Sequence, residues 1–258
     1  MPEAMPSAHL FAGLLVFARV GAAIAVLPGF SSTYVPVRVR LLLALAISVL
    51  ILPALADTLP PLPDRPDALL VLLLGETLIG LFLGTVPRLL FSALQVAGTF
   101  IAFLGGFANA LTQDPIADQQ SSTISGFFST LGLVLVLATD LHHLMLQAIV
   151  DSYGLFVPGA AVPSGDLAMV IARSAADGFA LGVQLAAPFV VIALVYNVGL
   201  GLLGRLMPQL QVFFIAQSAQ VGLQLWVMVL TISGIMMVFL NRYAEVLGGM
   251  LGGWGPPA

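Results

Sequence analysis

The sequence predicts an all-α membrane protein, and three observations carry that prediction. Only 8% of the 258 positions are charged, against roughly 25% in a soluble domain. With a mean hydropathy of +1.09, too little polar side chain is present to coat a water-soluble globule. Apolar runs recur along the whole chain, most of them near the roughly 20 residues that a helix needs to cross hydrocarbon. None of them shows the alternation of a membrane strand.

The runs are Leu10–Leu27, Leu41–Leu55, Ala68–Val86, Leu89–Leu111, Ile124–Val150, Leu167–Leu203 and Val212–Leu240. They predict six or seven long apolar helices, some of them broken, in a single polytopic domain over residues 1–258. The last two runs are too long for a simple span and hold breakers, Pro188 in one and Gly222 in the other. The stretch before the first run carries Glu3 and no positive charge, so the first helix is expected to stay in the mature protein.

The connections are marked by proline. "LPGFSSTYVP" (Leu27–Pro36) joins the first two helices. "DTLPPLPDRPD" (Asp57–Asp67) is expected to be extended and solvated. "VPGAAVPSGD" (Val157–Asp166) ends in Ser164 and Asp166, good caps for a following helix. Arg38 and Arg40 lie on one side of the second run and Asp57, Asp64 and Asp67 on the other. The positive-inside bias then puts the first loop in the cytoplasm and the N-terminus outside.

Charge and composition exclude several function classes. A net charge of −4 points away from a nucleic-acid partner. With no cysteine, disulfides and thiolate metal sites are ruled out. Serine nucleophile elbows, Walker loops and GxGxxG fingerprints are missing, so no catalytic residue and no cofactor is expected.

Ionisable residues inside apolar runs are costly in lipid and are the first candidates for function. Arg19 lies in the first run, Glu76 midway along the third and Asp140 late in the fifth. Arg19 and Glu76 are expected to form a structural ion pair, since the string of acids or histidines that a proton relay uses is missing. Arg173 and Asp177 are four apart and are expected to pair on one helical face. In "TDLHHLMLQ" (Thr139–Gln147), Asp140 and His143 share a face of a continuous helix. A metal needs three or four protein ligands. The remaining histidine, His9, is distant in sequence, so no metal site is expected.

Small residues recur at packing distance: Gly80 with Gly84, and Gly178, Gly182 and Ala186. Glutamines also cluster. Gln209, Gln211, Gln217, Gln220 and Gln224 lie close together, and the last three share a helical face. Such a lane must face other subunits, other segments of this chain or water. It suits a conduit or a subunit seam better than an ion-selective filter.

The remaining feature is "GGFANALTQDPIADQQSS" (Gly105–Ser122), polar and overlong between apolar runs. Gly105 and Gly106 let the preceding helix end, and Asp114 before Pro115 favours a turn. Residues Asp118 to Ser122 offer capping groups for the next helix. A polar loop at membrane depth is tolerated only where it lines a cavity or is buried in protein.

Five blocks occur in an order similar to that of the FliR family of flagellar export-gate proteins, whose injectisome counterpart is the SctT family. They are "VPVRVRLLLALAISVLILP" (Val35–Pro53), "GETLIGLFLG" (Gly75–Gly84), "AGTFIAFLGGFANALTQDP" (Ala97–Pro115), "DLHHLMLQAIVDSYGLFVPG" (Asp140–Gly159) and "RLMPQLQVF" (Arg205–Phe213). The resemblance runs from about Arg19 to Phe239. It implies a fold like a FliP-like protein fused to a FliQ-like one, and a non-enzymatic role. It also implies assembly with FliP-like and FliQ-like subunits, with FlhB-like and FlhA-like proteins nearby. Unfolded flagellar proteins would pass through the centre of that assembly, in the inner membrane at the flagellar basal body. Part of the apolar surface would then meet partner subunits instead of membrane lipid.

The resemblance further implies a loop that plugs the closed channel. By position this is the segment after "AGTFIAF", which assigns the plug to Gly105, Gly106, Phe107, Asn109, Leu111, Asp114 and Pro115. The sequence departs from the family pattern in two places. The family commonly has asparagine where Gln211 stands, and proline followed by lysine near Ser218 and Gln220; without that proline the last helix should run straighter. Three alternatives remain: an injectisome gate subunit, a small-solute transporter, and a membrane enzyme built on Asp140, His142 and His143. A transporter should show corresponding interrupted segments in two halves, which this sequence does not. The enzyme reading would end if alanine at both histidines left function intact.

Overall fold

The computed structural model describes residues 4–32, 34–56, 58–106, 123–206 and 212–251. Among them are seven helices and no strand: α1 (Ala4–Val26), α2 (Val37–Leu55), α3 (Pro66–Leu104), α4 (Thr123–Ala138), α5 (Leu141–Leu155), α6 (Ser164–Leu206) and α7 (Val212–Leu251). Five are long and apolar enough to cross a membrane, or six if α4 and α5 are one broken span. The protein is therefore an all-α membrane protein.

The breaks fall elsewhere than the sequence suggests. The third and fourth runs form one helix, α3, which continues through Pro87. Likewise α6 continues through Pro188, and α7 passes Gly222 without interruption. A helix survives one missing N–H when its flanking turns are well packed, and one interior glycine costs only about 1 kcal/mol. The fifth run, by contrast, is divided at Thr139 and Asp140. Asp140 has a φ of 59°. Aspartate is one of the few residues besides glycine that visits this left-handed region.

The chain groups into two compact units. The first comprises Met1–Leu89, Leu137–Ala175 and Tyr243–Ala258. Its core is built on α1, where Leu15, Val16, Val20, Ala23, Ile24 and Leu27 are buried at helical spacing. Against them pack Ile79, Phe82, Leu83 and Val86 of α3 and Met145, Ile149 and Tyr153 of α5. Phe82 and Phe156 meet edge to face, with ring centroids 6.2 Å apart. In α2 only Ala44, Ser48 and Leu55 are buried, so most of its apolar surface stays open.

Close approach of α1 and α3 depends on two glycines. A Cβ on Gly80 would stand 2.2 Å from the Arg19 carbonyl oxygen, and one on Gly84 would stand 2.7 Å from that of Ala23. Any larger residue would push the two backbones apart.

The second unit comprises Leu90–Val136 and Ala176–Arg242. Leu90, Ala93, Leu94, Ala97 and Ile101 form a buried stripe on α3. Around it lie Phe128 of α4, Leu181, Leu185, Ala186 and Phe189 of α6, and Val227 and Phe239 of α7. Gly182 lies against Val96 and the Ala93 carbonyl, and Gly98 against the Ser125 backbone. Gly178 and Ala186 are buried on the same face of α6. In both units the spacing of small residues is thus a packing device.

Candidate functional site

Arg19, the largest fully buried side chain among the described residues, sits in the middle of the α1 stripe. Its Nε donates to Glu76 Oε2 at 2.7 Å and its Nη2 to Glu76 Oε1 at 3.1 Å. This bidentate fork matches the planar geometries of guanidinium and carboxylate. Nη2 also donates to the Phe156 carbonyl at 2.8 Å, and Nη1 to Ser152 Oγ at 3.2 Å. The guanidinium carbon lies 3.9 Å from the centroid of the Tyr153 ring, a cation–π contact. Four of the five guanidinium donors are thus satisfied. The Ser152 hydroxyl in turn donates a hydrogen bond to the Ile149 carbonyl at 2.6 Å.

The arrangement ties α1, α3 and the end of α5 together at one point. It offers no open face to a substrate, because Arg19 is 0% and Glu76 2% exposed. Ser152, Tyr153 and the Phe156 carbonyl were not foreseen as its members. The only trace in the sequence is the proximity of the "DSYGLF" stretch to the histidine block.

At the C-terminus of α3, the Gly105 N–H reaches the Ile101 carbonyl at 2.8 Å and the Gly106 N–H that of Phe103 at 3.4 Å. Gly106 has a φ of 73°, the left-handed conformation that commonly ends helices. The Leu104 carbonyl accepts a hydrogen bond from Gln220 Nε2 of α7 at 2.8 Å. Nearby, the Tyr196 hydroxyl of α6 donates to the Ala216 carbonyl of α7. Of the expected plug, Gly105 and Gly106 are thus placed, while Phe107, Asn109, Leu111, Asp114 and Pro115 lie outside the described residues.

The expected glutamine lane is only partly placed. Gln209, Gln211 and the side chain of Gln217 lie outside the described residues. Gln220 is half-buried and engaged with α3. Gln224 is 1% exposed, and neither its Nε2 nor its Oε1 has a partner among the described residues. Gln220 thus meets another segment of its own chain, one of the three settings open to such a lane.

Other expectations are corrected. Arg173 and Asp177 are both exposed and make no ion pair. Asp140 is not inside a helix. It precedes α5, with its side chain 77% exposed and its Oδ1 3.4 Å from His143 Nδ1. Arg40, one of the two arginines behind the expected orientation, also donates from its Nη2 to the carbonyls of Ser32 at 3.1 Å and Val35 at 3.2 Å in the first loop, which leaves that orientation unaffected.

The break before α5 also gathers side chains that a continuous helix would separate. Asp140, His142 and His143 can each offer one ligand atom, all within 4.8 Å of one another. Spacing on an unbroken helix had supplied only Asp140 and His143.

Comparison with known proteins covers nearly the whole chain. Residues 10–246 match the family model "Bacterial export proteins, family 1". The chain is 42% identical over 239 residues to the flagellar biosynthetic protein FliR of Caulobacter vibrioides, covering 93% of this chain and 95% of the relative. It is 31% identical over 234 residues to FliR of Bacillus subtilis, covering 90% of each chain. With FliR of Escherichia coli it shares 30% identity over 197 residues, 76% of this chain and 75% of the relative.

Proposed function

This chain belongs to the FliR family of bacterial export proteins, and from that membership we propose that it is a subunit of the flagellar type III protein export gate. The observation that carries the reading is the family match over residues 10–246, which leaves only the extreme termini outside it. The chain is a multi-pass protein of the inner membrane at the flagellar basal body, with five or six apolar spans. Its role is structural and not enzymatic.

The whole chain, 1–258, acts as one subunit. It assembles with FliP-like and FliQ-like subunits around a channel for unfolded flagellar proteins, close to FlhB-like and FlhA-like components. The open apolar surface of α2 supports this: Val37, Leu41, Leu42, Leu45, Val49 and Leu50 are all exposed on the isolated chain. The flagellar names of the relatives favour the flagellum over the injectisome.

Residues Gly105–Ser122 are the plug of the closed channel. Two features support that assignment. α3 ends abruptly at Gly105–Gly106, and Gln220 holds its last carbonyl, so the segment leaves from an anchored root. A polar segment between two apolar helices would also be tolerated at membrane depth only against protein or in a cavity.

Co-purification tests the assignment. Expressed with FliP-like and FliQ-like subunits, a tagged chain should bring both down in one complex stable in mild detergent. A chain that stays monomeric and stable in their presence would overturn the reading.

A further inference from the structure

We propose that Asp140, His142 and His143 form a zinc-binding site at the start of α5. The feature that creates it is the interruption of the helix at Thr139 and Asp140. Asp140 takes a φ of 59° and returns its carboxylate toward the first turn of α5. There Asp140 Oδ1 lies 3.4 Å from His143 Nδ1. Two ligands held about 2.0–2.1 Å from a tetrahedral zinc stand roughly 3.4 Å apart. The pair is therefore already spaced as adjacent ligands. His142 supplies the third donor, and the three ligand atoms lie within 4.8 Å of one another.

A second observation points the same way. His142 Nδ1 is buried and has no hydrogen-bond partner among the described residues. Yet the His142 and His143 rings are held 4.1 Å apart, tilted by 35°. A buried ring nitrogen left unpaired costs free energy. A metal ion held by His142 would supply a partner to this imidazole.

The donor set selects the ion. Two imidazoles and one carboxylate suit zinc and related borderline cations, whereas magnesium and calcium need oxygen ligands. Three protein ligands leave the fourth position to water. The side chains of Asp140 and His143 are 77% and 68% exposed on the isolated chain, so other parts of the chain do not block an ion from reaching them. Bound zinc would fasten the interhelical residue Asp140 to the first turn of α5, stiffening a junction that has no side-chain cap. This role is independent of the export-gate reading.

The test uses the full chain in detergent micelles, carrying an affinity tag without histidine. Titration with zinc chloride should show saturable binding of one ion per chain, and magnesium chloride should show none. Asp140→Asn, His142→Ala and His143→Ala should each weaken zinc binding by at least the roughly 10–100-fold that loss of even a supporting group costs. His9→Ala should change nothing. Asparagine tolerates the left-handed conformation, so Asp140→Asn removes the carboxylate without disturbing the backbone. Cobalt added to the unaltered chain should give the visible absorption bands of four-coordinate cobalt with nitrogen ligands. Absence of saturable zinc binding to the unaltered chain would overturn the proposal, as would undiminished binding when both histidines are alanine.

Discussion

The side-chain amide of Gln220 in α7 donates to the carbonyl of Leu104 at the end of α3, 2.8 Å away and 116 residues distant in sequence. The last carbonyls of any helix lack partners within it. Here Gly105 and Gly106 satisfy those of Ile101 and Phe103, and Gln220 takes that of Leu104. One member of the glutamine cluster, Gln220, thus holds the helix end from which the polar segment leaves.

Replacing Gln220 by leucine should leave the Leu104 carbonyl without its donor at a cost of about 1 kcal/mol. That is small against the stability of the fold but large for one anchor. The gate complex should still assemble, while the closed channel should leak more ions in planar-bilayer recordings. Gln220→Glu should behave likewise, since a carboxylate cannot donate. Conductance equal to that of the unaltered complex would show that Gln220 does not anchor the plug.

The Arg19–Glu76 pair allows a sharper thermodynamic test. Both groups are buried, and removing one strands the other. Arg19→Met or Glu76→Gln should each destabilise the chain by about 3–5 kcal/mol. In the double variant Arg19→Met with Glu76→Gln, no unpaired charge remains, so much of that loss should return. Thermal melts of the three variants in one detergent would measure it. A double variant as unstable as the sum of the singles would mean that the pair's other partners, Ser152 and the Phe156 carbonyl, dominate.

The helical class was legible because a shortage of charge is a global property. The pairing of Arg19 with Glu76 could be anticipated because burial in an apolar run leaves an ion few choices. The breaks were misread because proline and glycine lower helix stability by amounts that packing overrides, as at Pro87 and Pro188. The actual break, at Asp140, carries neither residue. Its signal is a polar Thr-Asp pair amid leucines, too weak to read without the tertiary fold. The convergence of His142 on Asp140 depends on that break and was illegible for the same reason.

The glycine spacing yields a contrast within one protein. Gly80→Ala would force a Cβ to 2.2 Å from the Arg19 carbonyl and 2.9 Å from Ala22 Cβ, so α1 and α3 must separate. Gly84→Ala meets the Ala23 carbonyl at 2.7 Å and Val26 Cβ at 2.9 Å. Both should destabilise by about 1–3 kcal/mol, as overpacking does. A Cβ on Gly222, within α7, meets nothing within 4 Å. Gly222→Ala should therefore raise the melting temperature of the isolated chain, by up to about 1 kcal/mol in stability. Equal effects at all of these positions would remove close helix approach as the reason for Gly80 and Gly84.

Shortening the polar segment tests the plug itself. Deleting several residues between Ala108 and Gln119 leaves Gly105–Gly106, Gln220 and the buried stripe of α3 untouched. Each compact unit keeps its core, so assembly with FliP-like and FliQ-like subunits should proceed. A channel lacking its seal should then pass ions or small solutes in the resting state, measured as conductance or dye entry. Export of flagellar proteins should persist, because the conduit walls are unaltered. If the shortened chain instead fails to enter the complex, and no leaky intermediate is found, the segment is a clamp between subunits and not a plug. Separate deletions of Phe107–Leu111 and Asp114–Gln120 would then show which half makes the contact.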